Sequence, residues 1–358
     1  MGAKYLTVLG TGAALFSFTS YAGSLEELKN LLNQKDVEIN LAVTGDYLYT
    51  ANRQDVYNST PENPDRFGYN VYFGLFKEAS QNSPFGFGLA LSNNDWAPTV
   101  GNEPILKAEK QLTIDQAYVE WKAGPLTIQG GRILTNIGGE APYTWQNINI
   151  QRGLVWAGEP VFYNGLRISF TANPFNMYVG VNDRDTDDGK FAVEAGVSGS
   201  WEALNMDWSF NALFPDHSDK DNKRVFNITT NWYAFKNLPI TFYVDYLNVP
   251  VSGSKSRNAF GFALLTEWKT TDKIALGARV ERVIQESKVD AYNLGEGNDA
   301  WTFTITPKYQ FNKYFYIRAE ASVVRTDKNV YIRKIYNNDS KSLTSEEIRA
   351  GAEIGFVF

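Results

Sequence analysis

The chain of 358 residues has no cysteine and a single histidine, His217. Each shortage removes a class of chemistry. Without cysteine there is no disulfide framework and no thiol nucleophile, and one histidine cannot supply the paired imidazoles that hold zinc. Long apolar runs are scarce as well. A membrane helix needs about 20 consecutive apolar residues, and none occurs after the first two dozen positions. The net charge of −6 leaves no general excess of basic residues, so nucleic acid is not an expected partner. Aromatic residues, by contrast, make up 15% of the chain.

The first residues read as a leader. Lys4 gives a positive start, residues 5–18 form an apolar run, and Ser20 and Ala22 place small side chains at the minus-three and minus-one positions of a cleavage site. Residues 1–22 are therefore expected to be a signal peptide. Residues 23–36 are expected to form a periplasmic N-terminal helix from Ser24 to about Lys35. Ser24 and Glu27 have the spacing of a capping box, and Leu25, Leu28, Leu31 and Leu32 share one face. A plug, an oligomer contact and a cover over the barrel's inner rim all remain open as its role.

From Val37 onward the apolar period is two. Phe67, Tyr69, Val71, Phe73 and Leu75 alternate with Arg66, Gly68, Asn70, Tyr72 and Gly74, and Phe85, Phe87, Leu89 and Leu91 alternate with Gly86, Gly88, Ala90 and Ser92. The second face is small, glycine-rich or charged, as a lumen requires when the greasy face meets lipid. Alternating runs fall near 37–49, 65–77, 84–93, 111–122, 125–133, 161–172, 175–183, 190–202, 206–214, 224–235, 239–249, 258–269, 273–285, 300–311, 314–326 and 347–358. That is about 16 strands, and their connections divide into tight turns and long loops. The expected fold is all-β, a transmembrane antiparallel β-barrel over 37–358 whose long third loop, 132–163, folds inward and narrows the bore.

Aromatic placement points the same way. Trp121, Trp201, Trp208, Trp232, Trp268 and Tyr309 share the outward parity and lie beside the proposed short turns, an expected girdle at headgroup level. In the last run Ile348, Ala350, Ala352, Ile354, Phe356 and Phe358 alternate with Arg349, Gly351, Glu353 and Gly355, and the chain ends on an aromatic.

The blocks from Asp115 to Trp121 (DQAYVEW) and from Gly131 to Glu140 (GRILTNIGGE), then Asn149-Ile-Gln-Arg152, Glu159-Pro160 and Asn164-Gly-Leu-Arg167, carry a family likeness. Over roughly 110–190 the sequence resembles the OmpL-like porin family, porin-2, and more broadly the bacterial outer-membrane porins. The departures are Ile133 and Gly139, where aromatics are usual in that pattern. The resemblance implies passive diffusion of small hydrophilic solutes and ions through the outer membrane of a Gram-negative bacterium. No cofactor, no metal and no catalysis are expected, with outer-membrane lipid and lipopolysaccharide as surroundings; a homotrimer is kept open as the assembly. A substrate-specific channel and a plugged structural or adhesive barrel remain as alternatives.

By parity Arg66, Arg167, Arg279, Lys308, Arg318 and Arg349 face inward, as do Glu38, Glu120, Glu194, Asp207, Glu281, Glu320 and Glu353. Together with Arg132, Arg152, Glu140 and Glu159 of the loop they are the expected pore-lining and constriction charges. Two uses compete: a transverse field across the bore, or ion pairs that tie the loop to the wall. Other motifs lead nowhere. Asp183, Asp185, Asp187, Asp188 and Gly189 lack the spacing and bidentate glutamate of a calcium loop. His217 between Asp216 and Ser218 reads as an exposed loop rather than a triad, and the pairs Gly130-Gly131 and Gly138-Gly139 read as a bulge and a bend, since no helix follows.

Overall fold

The computed structural model describes residues 19–54, 65–93, 100, 112–184, 189–216, 222–334 and 341–358. Sixteen antiparallel strands close into a barrel, each paired with its neighbours in sequence and the last with the first. In chain order they are β1 (Glu38–Ala51), β2 (Asp65–Lys77), β3 (Phe85–Ser92), β4 (Thr113–Ala123), β5 (Leu126–Leu134), β6 (Phe162–Ala172), β7 (Phe175–Asn182) and β8 (Ala192–Trp201). The second half comprises β9 (Met206–Pro215), β10 (Arg224–Trp232), β11 (Ile240–Val249), β12 (Arg257–Lys269), β13 (Ile274–Gln285), β14 (Ala300–Gln310), β15 (Phe315–Thr326) and β16 (Glu346–Val357). Each lies within three residues of the run read from periodicity, because a half-buried strand must alternate and the alternation is visible in the chain.

The greasy rows face out. Phe67 is 85%, Phe85 67% and Val119 67% exposed, whereas inward Arg279, Glu281 and Glu353 are each 1% exposed. This is the reverse of a soluble sandwich. No helix among the described residues is long and apolar enough to cross a membrane, and the crossing elements are the strands.

Small inward residues let large neighbours lie flat on the wall. Gly88, Gly196 and Gly355 stand directly across from Tyr118, Tyr178 and Tyr316, and a Cβ at each glycine would come within 2.3–2.4 Å of that tyrosine ring. The glycine provides the seat and the ring covers its exposed backbone.

One rim carries the short connections, such as 124–125, 173–174, 202–205, 270–273 and 311–314; the other carries the long ones. A small sheet stands on the long-loop rim, made of Arg53–Gln54, Tyr331–Lys334 and Lys341–Thr344. Helix α1 (Thr19–Asn33) sits at the short-turn rim, where Glu26 is bonded by Lys313 and the hydroxyl of Tyr314, and the Lys29 ammonium lies 4.7 Å from the Phe358 ring. The helix already includes the five residues before Ser24, so the Ser24/Glu27 pair is inside it and does not cap it.

The seam between β1 and β16 runs through ten paired residues, and beyond it Phe358 and Leu41 exchange backbone hydrogen bonds of 2.8 and 3.0 Å. The Phe358 ring is buried against Tyr314, 5.6 Å between centroids. Phe358→Ala is expected to cost about 3 kcal/mol by leaving a void at the closing pair, which a lower urea midpoint for the folded, heat-modifiable band would register.

Candidate functional site

Between β5 and β6 the chain turns into the barrel over residues 135–161, with two short 3-10 turns at Thr144–Gln146 and Val155–Gly158. This third loop has little regular hydrogen bonding of its own. Its main-chain groups still need partners, because a buried unpaired N–H or C=O costs about 1–3 kcal/mol. The wall supplies them through glutamate and arginine side chains.

Glu320 on β15 accepts the amides of Ile150 (2.5 Å) and Gln151 (3.2 Å), the Gln151 side chain (2.8 Å) and the Thr306 hydroxyl (2.9 Å). Glu281 on β13 accepts the amides of Leu154 (3.0 Å) and Val155 (3.2 Å). The arginines take the carbonyls. Arg279 donates to Gln151 O at 2.6 Å, and Arg318 donates to Thr144 O and Asn147 O at 2.7 Å each. Arg349 reaches the Gln151 side-chain oxygen at 3.0 Å while pairing with Glu347 at 2.8 Å. Arg318 is held in turn by Glu353 at 2.8 Å.

Glu140 closes the grip from the loop side. It pairs with Arg279 at 2.7 Å, accepts the Gly153 amide at 2.7 Å and the Tyr243 hydroxyl at 3.3 Å, and its side chain is 1% exposed. Gly153 permits the approach, since a Cβ there would stand 2.0 Å from Glu281. Of the two uses weighed for these charges, the geometry is that of pairs tying loop to wall.

Other residues singled out in the sequence fall elsewhere. Arg167 on β6 is buried with Glu194 at 2.9 Å, and the Tyr163 hydroxyl bonds the same carboxylate. Arg152 stacks on the Trp156 ring, 3.4 Å to its centroid. Arg132 is not part of the Glu140 group: it lies across from Ala117 and Asn164, donates to Ile114 O at 3.1 Å and has Phe162 beside it. Spacing alone could not show this, because β4 bulges at Ile114–Gln116 and Gly131 adopts φ +131°. Trp121, Trp201, Trp232, Trp268 and Tyr309 are exposed on the outer face and Trp208 half-buried there, all beside short turns. Residues 94–99 and 101–110, Asp185, Asp187, Asp188, His217 and the side chain of Arg66 lie outside the described residues.

The interior is less uniformly polar than the alternation implied. Inward Leu213, Val225, Leu247, Val249, Leu265 and Val283 pack with Leu154 and Val155 of the third loop and with Val289, Tyr292 and Leu294 of the 286–299 loop. Apolar residues on the lumen parity of β9–β13 are the signal that sequence reasoning passed over. At the edge of this cluster Glu159 meets Asp245 and is 8% exposed. Burial, then the negative charges of Asp245, Glu140 and Glu281 around it, hold the Glu159 carboxyl well above the usual carboxylate range.

Two expectations follow. Glu320→Ala strips acceptors from two buried amides and costs about 3 kcal/mol locally, seen as exchange of the Ile150 and Gln151 amides about a hundredfold faster. A carboxyl raised in the folded state contributes stability that is complete below its ordinary pKa near ~4.3 and is lost as pH rises through the folded value. The thermal midpoint in detergent should therefore fall from about pH 4 upward, and Glu159→Gln should flatten that dependence.

Comparison with known proteins agrees with this architecture. No curated protein matches the chain in sequence. Among solved structures it is similar to OprB of Pseudomonas putida, with a TM-score of 0.62 and 12% identity over 95% of this chain and 97% of that one. It is also similar to the outer membrane channel DcaP of Acinetobacter baumannii, with a TM-score of 0.61 and 13% identity over 90% and 97%. The in-vitro folded trimer form of OmpT from Vibrio cholerae gives 0.60 and 12% over 90% and 99%. At these identities the likeness concerns the fold. The family model described as beta-barrel porin-2, OmpL-like, matches residues 36–358, which takes in the whole barrel, and the chain belongs to that family of outer-membrane porins.

Proposed function

We propose that the protein is a diffusion channel for small hydrophilic solutes and ions whose path runs beside the third loop, along the β4–β9 wall. The observation that carries this is the uneven burial of inward positions. On β11–β16 the loop covers them, and Asp245, Arg279, Glu281, Arg318, Glu320 and Glu353 are all buried. On the other side Arg167 and Glu194 are buried as a pair, but inward Tyr118, Glu120, Gln129 and Ser169 are half-buried, and Ser200 and Asp207 are exposed. A barrel of this strand number is too wide for side chains to fill, so space left by the loop holds water. On the loop, polar Asn136 and Gln146 are both exposed.

In this reading the third loop is a constriction set by its clamp, and the wall charges act mainly as its fasteners. Trp121, Trp201, Trp208, Trp232, Trp268 and Tyr309 anchor the short-turn, periplasmic rim at headgroup level, facing the lipid. The barrel does no catalysis and needs no cofactor. A homotrimer belongs to the same reading, supported by the trimer form of the OmpT relative.

Planar-bilayer recording tests it. Conductance steps on the order of a nanosiemens are expected for this strand number, and a silent protein would instead support a plugged barrel acting through its outer loops. Two variants locate the path. Asp207→Asn, at an exposed inward carboxylate, should shift the reversal potential toward anions, whereas Glu140→Gln should leave it in place and increase current noise as the loop loosens.

A further inference from the structure

On β12–β16 most inward ions are consumed. Arg279, Glu281, Arg318, Glu320, Glu347, Arg349 and Glu353 each hold the loop or one another at hydrogen-bond distance. Three inward residues depart from this rule. Lys269 on β12, Lys308 on β14 and Glu267 on β12 make no side-chain hydrogen bond and no ion pair among the described residues, and the Lys308 ammonium lies 5.0 Å from the centroid of the Tyr316 ring. An inward charge kept without a partner is costly to retain unless water or a solute serves it.

Their position is specific. Lys269 stands across from Ala275, Ala275 from Lys308, and Lys308 from Arg318, so the two lysines share one level of the wall. With strands about 4.8 Å apart, their backbones are about 10 Å apart, a span that two long side chains can close onto one small ion. One step toward the long-loop rim, Gly277 takes the Ile148 side chain and Thr306 takes Asn149 at 2.7 Å. The lysines therefore lie directly beneath the loop, on its short-turn side.

We infer that Lys269 and Lys308 form a binding site for small oxyanions such as phosphate beneath the third loop, on the periplasmic side of the constriction. The inference rests on the reading of the interior as a conducting path. Lysine suits such a site better than arginine, since a compact, hydrated ammonium on a flexible stem exchanges ligands readily where a bidentate guanidinium fixes them. Glu267, two residues from Lys269 on the same face, offsets one of the two charges and keeps the site weak enough to release its ion. The site gives anions a foothold in a chain whose net charge is −6.

The test is the reversal potential in a KCl gradient, with and without inorganic phosphate, for the wild-type channel and three variants. One charge about 10 Å from an ion passing in water changes its local concentration about twofold, so Lys269→Gln with Lys308→Gln should lower the chloride-to-potassium permeability ratio about fourfold, and the loss of both direct contacts should abolish block by phosphate. Glu267→Gln should move both in the opposite direction, and Lys269→Arg with Lys308→Arg should keep the wild-type ratio. Unchanged selectivity and unchanged phosphate block in a conducting glutamine double variant overturn the site alone; a silent wild-type channel overturns the diffusion reading itself. If the double variant does not fold, acetylation of the wild-type protein decides the matter. Phosphate should slow modification of Lys269 and Lys308 about fourfold while leaving Lys313 unaffected, and equal rates with and without phosphate overturn the site.

Discussion

A main chain with little regular structure is held inside this barrel by glutamate and arginine side chains from its wall. Pairs of adjacent amides at 150–151 and 154–155 each meet one carboxylate, and carbonyls at 144, 147 and 151 meet guanidinium groups. The arrangement solves two problems together. Buried carboxylates and guanidinium groups would each be expensive alone, and so would the loop's buried peptide groups; brought into contact, they satisfy each other. The placement of the loop, the side of the barrel left open and the depth of the lysines below it all depend on this exchange.

Much of the fold was legible because lipid outside and solvent inside impose a strict alternation on every strand. The parity of Arg279, Glu281, Arg318 and Glu320 could be read directly. What they touch could not, since their partners are backbone groups more than a hundred residues away and any sequence offers such groups. The residues along the open side were also hard to see: Ser169, Gln129 and Ser200 carry no charge and no spacing that marks them. Arg132 misled for a local reason. A bulge in the neighbouring strand and an unusual backbone angle at Gly131 break the relation between spacing and direction there.

The interior is asymmetric in a second respect. Apolar inward residues on β9–β13 give the third loop and the 286–299 loop a hydrophobic bed, with Tyr292, Leu247 and Val155 fully buried. Ionic fastening supplies direction, and apolar burial supplies much of the adhesion. Glu159 sits where the two meet, crowded by other carboxylates, and is the place where the proton concentration of the medium reaches the loop.

Finally, the two ends of the barrel lie side by side. Leu41 and Phe358 are bonded backbone to backbone, and the lead-in helix touches the last residue as well as the 311–314 turn. The order of strands around the ring is therefore independent of where the polypeptide starts. A circularly permuted gene, joined across Leu41 and Phe358 by a brief linker and reopened at another tight hairpin, would encode the same closed cylinder with its internal strap in place.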